Sequence, residues 1–194
     1  MALSPSPPEK KKNTNWRNLF IWVLLALLLR WFVVEPRWIP SGSMLPTLQI
    51  QDRILVEKLR PGISRNQKSP LPLGTIVVFH PPSILINAGY NKDSALIKRI
   101  IGLPGDTIEI HQGKIFHNGS LLLETWRKEP INYELPLTTV PPHQLWVMGD
   151  NRNDSLDSHI WGPLPEEEVI GTAIWRYWPL RRFGPIRFPT PKNI

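Results

Sequence analysis

The chain contains no cysteine, and that one absence removes disulfides, thiolate metal sites and a cysteine nucleophile together. It also lacks HExxH or any comparable ligand spacing. The five histidines (His80, His111, His117, His143 and His159) are scattered singles, the pattern of structural or exposed histidines rather than of metal ligands. No metal and no cofactor is expected. Long uninterrupted helical stretches are scarce, because 22 of the 194 residues are proline, against a usual usage of about 5%, and proline breaks helices. Internal repeats are missing too. The length suits one ordinary domain with a modest appendage.

The net charge of +7 could draw nucleic acid, anionic lipid or acidic partners. Its placement decides. Through residue 40 six basic residues face two acidic ones, and from Trp175 onward five (Arg176, Arg181, Arg182, Arg187, Lys192) face none, so the body between them is slightly acidic. A nucleic-acid domain carries its basic patch on the folded body. Nucleic acid is therefore not an expected partner, whereas the basic carboxyl end is suited to lipid headgroups.

Residues 1–17 read as a disordered basic tail carrying Lys10, Lys11, Lys12 and Arg17. The composition then switches: Leu19 to Leu29 is unbroken apolar sequence, resumed after Arg30 by Trp31 to Val34. Helical over residues 19–34, it would cover about 24 Å of a hydrocarbon core about 30 Å thick. A cleavable leader shares the basic front and apolar middle, but it needs small residues at the cut, and the stretch from Arg30 to Pro36 is bulky and charged. A buried core helix leaves the lysine cluster unexplained. The expectation is a single-pass transmembrane anchor over residues 18–36, amino end in the cytoplasm, with residues 37–194 on the outer face.

Beyond the anchor, short β-branched or apolar runs alternate with turns. Strands are expected at Asp52–Glu57, Thr75–Phe79, Ala95–Ile101, Thr107–Ile110, Lys114–His117, Gln144–Met148 and Val169–Trp175. Asn118-Gly119 signals a hairpin turn. Residues 62–73, 81–93 and 124–142 look like loops. The fold class is mainly β, an antiparallel-sheet domain behind one amino-terminal helix.

Three segments concentrate polar or reactive side chains. In Pro40-Ser41-Gly42-Ser43-Met44-Leu45-Pro46, prolines bracket a serine-glycine-serine loop that can expose a hydroxyl beside free backbone N–H groups; an ordinary turn has the same composition. In Ala95 to Asp106, alternation puts Lys98 on the face of Leu96 and Ile100, where desolvation would lower its pKa and make a general base of it. A lysine that protects an edge strand reads the same way. Gly149 to His159 is rich in Asp and Asn, but Arg152 and Ser155 occupy positions where a calcium loop needs a ligand and a glycine, and a self-hydrogen-bonded turn is the plain alternative. No histidine sits in a recognisable Ser-His-Asp context. A serine–lysine pair, Ser43 with Lys98, is the remaining nucleophile and base.

Taken in order, Ser43-Met44-Leu45-Pro46-Thr47, Asp52-Arg53-Ile54-Leu55-Val56, Lys98-Arg99-Ile100-Ile101-Gly102-Leu103-Pro104-Gly105-Asp106 and Gly149-Asp150-Asn151-Arg152 through Ser158 resemble the motifs of bacterial-type signal peptidase I, the membrane-anchored serine–lysine endopeptidases. The resemblance implies removal of signal peptides from exported preproteins after an Ala-x-Ala type site. It makes Ser43 the nucleophile and Lys98 the general base, with the Ser41 hydroxyl and the Ser43 N–H as oxyanion hole. Ser155 would orient Lys98, and Asp150 with Arg99 would form a supporting ion pair. Ile39, Met44, Leu48, Leu96 and Ile97 match positions lining shallow pockets for small side chains. Preprotein signal peptides and membrane lipid are the implied partners, on a cell membrane or a thylakoid membrane. Two positions depart from the pattern: Gln51 stands where the family has glycine, and His159 where it has arginine, so an ion pair there with Asp157 becomes pH dependent. Self-cleaving repressors share the chemistry but carry a DNA-binding amino domain in place of an apolar helix, and an anchored, non-enzymatic lipid-binding β domain would have no use for the serine and lysine.

Overall fold

The computed structural model describes residues 16–59, 61, 71–126, 129–187 and 192–193. The tail with Lys10, Lys11 and Lys12, and most of the loop at 62–73, lie outside the described residues. Helix α1 covers Trp16–Phe32, and its apolar side chains from Leu19 to Leu28 are largely exposed. Its 17 residues rise about 25 Å. Among the described residues no helix is long and apolar enough to cross a membrane. The expected span to residue 36 is also cut short, because Val34–Trp38 is already a strand, β1, paired antiparallel with β2 (Arg53–Glu57).

The remaining elements are β3 (Ile76–Phe79), α2 (Ser83–Asn87), β4 (Leu96–Gly102), β5 (Thr107–His111), β6 (Lys114–His117), β7 (Ser120–Leu123), β8 (Leu135–Thr139) and β9 (Gln144–Met148), then α3 (Ser158–Trp161), β10 (Leu164–Pro165), β11 (Val169–Trp178), β12 (Gly184–Pro185) and β13 (Lys192–Asn193). They build two antiparallel sheets. The larger runs β1-β2-β11-β3-β4-β9-β10 with β12 beside β11, and the smaller runs β13-β7-β6-β5-β8. The mainly β reading holds, and all seven expected strands are present within a few residues of their expected bounds. Strands β1, β7, β8, β10, β12 and β13 and helices α2 and α3 were not foreseen. Asn118 and Gly119 take φ of 51° and 76°, the left-handed pair a two-residue hairpin requires.

Both faces of the large sheet are covered. Along β3, Ile76 and Val78 join a core cluster with Ile39, Met44, Leu48 and Ile97, while Val77 and Phe79 join another with Ile100, Leu145 and Trp161. A third cluster under the small sheet takes in Ile101, Ile108, Trp126 and Trp146. Strand β4 therefore serves all three clusters. It lies between β3 and β9, which rules out an edge-strand role for Lys98 and accounts for its almost continuous apolar sequence.

Candidate active site

The loop carrying Ser43 is tied at its neck: Ile39 N–H donates to the Asp52 carbonyl and Gln51 N–H to the Ile39 carbonyl, each at 2.8 Å. Gln51 sits at φ 69°, which explains why glycine suits that position. Behind the neck the buried Asp52 carboxylate accepts from Gln49 N–H at 2.9 Å, lies 3.2 Å from Arg176 and pairs with Arg182. Two of the carboxyl-terminal arginines read from sequence as facing lipid are thus drawn inward. Ile39, Met44 and Leu48 plug the loop into the core, so burial on one side and hydrogen bonds on the other fix where Ser43 points. Gly42 shows no left-handed φ, and a β-carbon there would meet only the flexible Leu45 side chain at 3.2 Å.

Lys98 Nζ donates to Ser43 Oγ at 2.8 Å, across 55 residues of sequence. Only 9% of Ser43 and 4% of Lys98 is exposed. Burial pushes the Lys98 amine down from 10.5 to about 8, against the Asp157 and Asp150 carboxylates, which raise it. Desolvation wins, and roughly a tenth of the amine is neutral at pH 7. Ser41 is exposed with its Oγ 3.4 Å from Ser43 Oγ, and among the described residues the Ser43 N–H makes no backbone hydrogen bond. The Ser41 hydroxyl therefore stands beside Ser43 Oγ, and the Ser43 N–H is left open next to it.

The third segment wraps the dyad. Asn151 N–H donates to the Ser43 carbonyl at 3.0 Å, and its side-chain amide to the Gly42 carbonyl at 3.2 Å. Asp150 takes both forks of the fully buried Arg99, Nε to Oδ1 and NH2 to Oδ2, at 2.7 Å each. Arg99 also donates to the Gly74 carbonyl at 2.7 Å and lies 4.3 Å from the Trp126 ring centre. Asp157 caps α3, accepting from Gly149 N–H at 2.8 Å and from His159 Nδ1 at 2.7 Å. Gly149 is jammed against the Ser43 loop: a β-carbon there would stand 2.2 Å from Ser155 Oγ and 2.5 Å from the Ser43 carbonyl oxygen.

Two expectations are revised. The Ser155 hydroxyl is buried without a hydrogen-bond partner, so the bond to Lys98 is not made; the amine is directed to Ser43 instead. Of the five expected pocket residues, Ile39, Met44, Leu48 and Ile97 share one cluster. Leu96 packs with another, as strand alternation requires of a neighbour of Ile97.

Arg152, which the last motif contains, is joined at the site by Glu124 and Trp126, which carry no local signal in the sequence. Arg152 is buried, donates to the Gly149 carbonyl at 2.8 Å and forks onto Glu124; burial disfavours its charge, but Glu124 together with Asp150 and Asp157 keeps its pKa raised. Glu124 and Trp126 reach the site from the chain after β7. Among the described residues no three His, Asp or Glu side chains stand close enough to share a metal ion. A cleft of about 300 Å3 beside the loop is bordered by Leu45, Pro46, Asn151 and Asn153.

Residues 13–178 match the family described as signal peptidase, peptidase S26. The chain belongs to this family. A Synechocystis protein named "Probable signal peptidase I-1" is 47% identical over 95% of this chain and 92% of its own. Signal peptidase I of Leptolyngbya laminosa is 43% identical over 86% and 80%. The thylakoidal processing peptidase 1 of Arabidopsis thaliana chloroplasts is 41% identical over 82% of this chain and 46% of its own length. In this member of the signal peptidase family, the serine and lysine singled out by their surroundings are the two that meet.

Proposed function

We propose that the protein is a membrane-bound serine endopeptidase that removes amino-terminal signal peptides from exported preproteins. The observation that carries the reading is the buried hydrogen bond between Lys98 Nζ and Ser43 Oγ, with the amine poised near pH 8. Neutral Lys98 takes the Ser43 proton as Oγ attacks the scissile carbonyl. The Ser41 hydroxyl and the Ser43 N–H receive the oxyanion, and Lys98 then passes the proton to the leaving amine. Water, deprotonated by the same lysine, hydrolyses the acyl-enzyme and regenerates Ser43. Asp150 and Arg99 hold the strand that carries Lys98 against the last loop. Ile39, Met44, Leu48, Leu96 and Ile97 are the apolar residues that would favour small side chains such as alanine at the cut.

Helix α1 with the basic residues before it serves as the anchor, amino end in the cytoplasm and body on the outer face. Support comes from the apolar side chains α1 leaves exposed and from an aromatic, basic surface where the helix meets the body. There Trp38 and Trp178 are exposed around a hollow of about 530 Å3 that Arg37 and Arg53 also line, with Leu180 and Phe183 exposed on the same chain end. Tryptophan and arginine together suit a bilayer interface. Relatives from cyanobacteria and chloroplasts fit a plasma or a thylakoid membrane. A lipid-binding domain without catalysis is disfavoured, since it gains nothing from a lysine buried at this cost. The test is cleavage of a preprotein with an Ala-x-Ala site by the purified full chain in lipid vesicles. A cut after the second alanine, lost when a bulky residue replaces it, supports the reading; an intact preprotein overturns it.

A further inference from the structure

His159 is the departure in the last motif, and its contacts connect it to the chemistry in two steps. Its Nδ1 lies 2.7 Å from Asp157 Oδ1. Its ring stacks on Tyr133 with centroids 4.0 Å apart and planes 11° from parallel, so two independent contacts fix its orientation. The other oxygen of Asp157 accepts from Gly149 N–H at 2.8 Å, and Gly149 is the residue with no room for a side chain against Ser155 and the Ser43 carbonyl. Asp157 is fully buried. The charged groups that act on or beside it are His159 through the hydrogen bond, Lys98 through its field, and Arg152, which is shared with Glu124 and Asp150. Arg99, on the strand of Lys98, is neutralised by Asp150. Among the described residues, His159 is thus the ionisable side chain hydrogen-bonded to Asp157.

We propose that His159 is a positioning residue for the general base: its ring clamps the Asp157 carboxylate where that carboxylate both holds Gly149 behind Ser43 and acts on Lys98. The inference rests on reading Ser43 and Lys98 as the catalytic pair. Its physical content is a sign. A bare Asp157 carboxylate favours the protonated, inactive lysine; a cation on Asp157 offsets that field and favours the neutral, active one. Arginine at this position would supply a permanent cation, and glutamine or phenylalanine none. The charge carried at position 159 therefore reaches Lys98 through the Asp157 carboxylate that the ring holds in place.

The test is the pH dependence of kcat/KM for preprotein cleavage by the full chain in vesicles, comparing wild type with His159→Arg, His159→Gln and His159→Phe. His159→Arg should move the acid limb to lower pH by about half a unit or more, the size expected of one charge near a partly buried amine. His159→Gln keeps a donor but no charge, and its limb should steepen without moving below the wild-type position. His159→Phe keeps the stack on Tyr133 but frees Asp157, and kcat should fall about tenfold with KM little changed. A second readout, the pH dependence of Lys98 acylation by an amine-selective reagent, should shift in the same sense and needs no turnover. Coincident profiles for wild type, His159→Arg and His159→Gln would overturn the proposal. The control separates the two layers: if Lys98→Ala is inactive and the His159 variants leave the limb unmoved, only this inference fails, whereas cleavage by Lys98→Ala would bring down the dyad and the inference with it.

Discussion

Gly149 and Ser155 are in such close contact that a β-carbon on the glycine would fall 2.2 Å from the serine Oγ. The third partner is the Ser43 carbonyl oxygen at 2.5 Å, so the glycine serves as the gauge block between the last motif and the nucleophile. Gly149→Ala should push the Ser43 loop away and lower kcat by about a hundredfold, in line with the price of an ångström-scale misplacement, while circular dichroism shows the sheets retained. Removing the Ser155 side chain as well (Ser155→Gly) should restore only part of the rate, because the Ser43 carbonyl contact remains. Full activity of Gly149→Ala would show that the spacing is not tight.

The dyad lysine is a liability to the fold. Its amine is near pH 8 in the folded chain and at 10.5 in its ordinary state, so the folded protein holds this proton less tightly than the unfolded one. Below pH 8 both states are protonated and the cost of burying the charge is complete; it is relieved as pH rises from 8 toward 10.5. Lys98→Met should therefore abolish cleavage yet raise the stability near neutral pH by up to about 3 kcal/mol, read as a higher Tm. The gain should shrink across that alkaline window. An unchanged or lower Tm at neutral pH would show that burial of the ammonium is not the dominant cost.

Arg99 and Asp150 are both fully buried, and breaking such a pair from one side strands a charge. Asp150→Asn should cost about 3–5 kcal/mol in denaturant unfolding. The pair Arg37 with Glu35, whose side chains are about a third exposed, gives the contrast, and Glu35→Gln should change stability by less than about 1 kcal/mol. Equal effects at the two sites would contradict the burial argument.

Asp52 gathers Gln49, Arg176 and Arg182 behind the nucleophile loop. Arg182→Gln should therefore lower stability and slow cleavage while leaving binding to anionic vesicles almost unchanged. Replacing Trp38 and Trp178 by serine should do the reverse, weakening vesicle binding by the protein at constant stability. Flotation with vesicles and thermal unfolding together distinguish the two, and a large loss of vesicle binding in Arg182→Gln would return that arginine to the lipid surface.

How much of this was legible depended on where each residue finds its partner. Strands such as β4 and β9 announce themselves because both faces are buried and the run of apolar residues is nearly continuous. Strand β8 contains Pro136 and is half exposed; it is a strand because β5 lies beside it, which no local pattern encodes. Ser43 and Lys98 were readable as candidates from their surroundings, but their meeting spans 55 residues and depends on the loop neck and on β4 being central. Glu124 and Trp126 were invisible for the same reason: an ordinary carboxylate and an ordinary tryptophan become site residues only when the chain after β7 is laid across Arg152 and Arg99. The hydrogen bond expected between Ser155 and Lys98 is absent, while its packing on Gly149 could not be read from spacing at all.

The central claim is that Ser43 attacks because Lys98 takes its proton. It is tested most directly by treating the full chain with a serine-directed acylating inhibitor at a pH near 8 and locating the added mass in proteolytic peptides. The expected result is a single adduct on Ser43 in the wild type, forming more slowly as pH falls below 8, and no adduct in Lys98→Ala. An adduct on another residue, or labelling of Ser43 in Lys98→Ala at the wild-type rate, would contradict it.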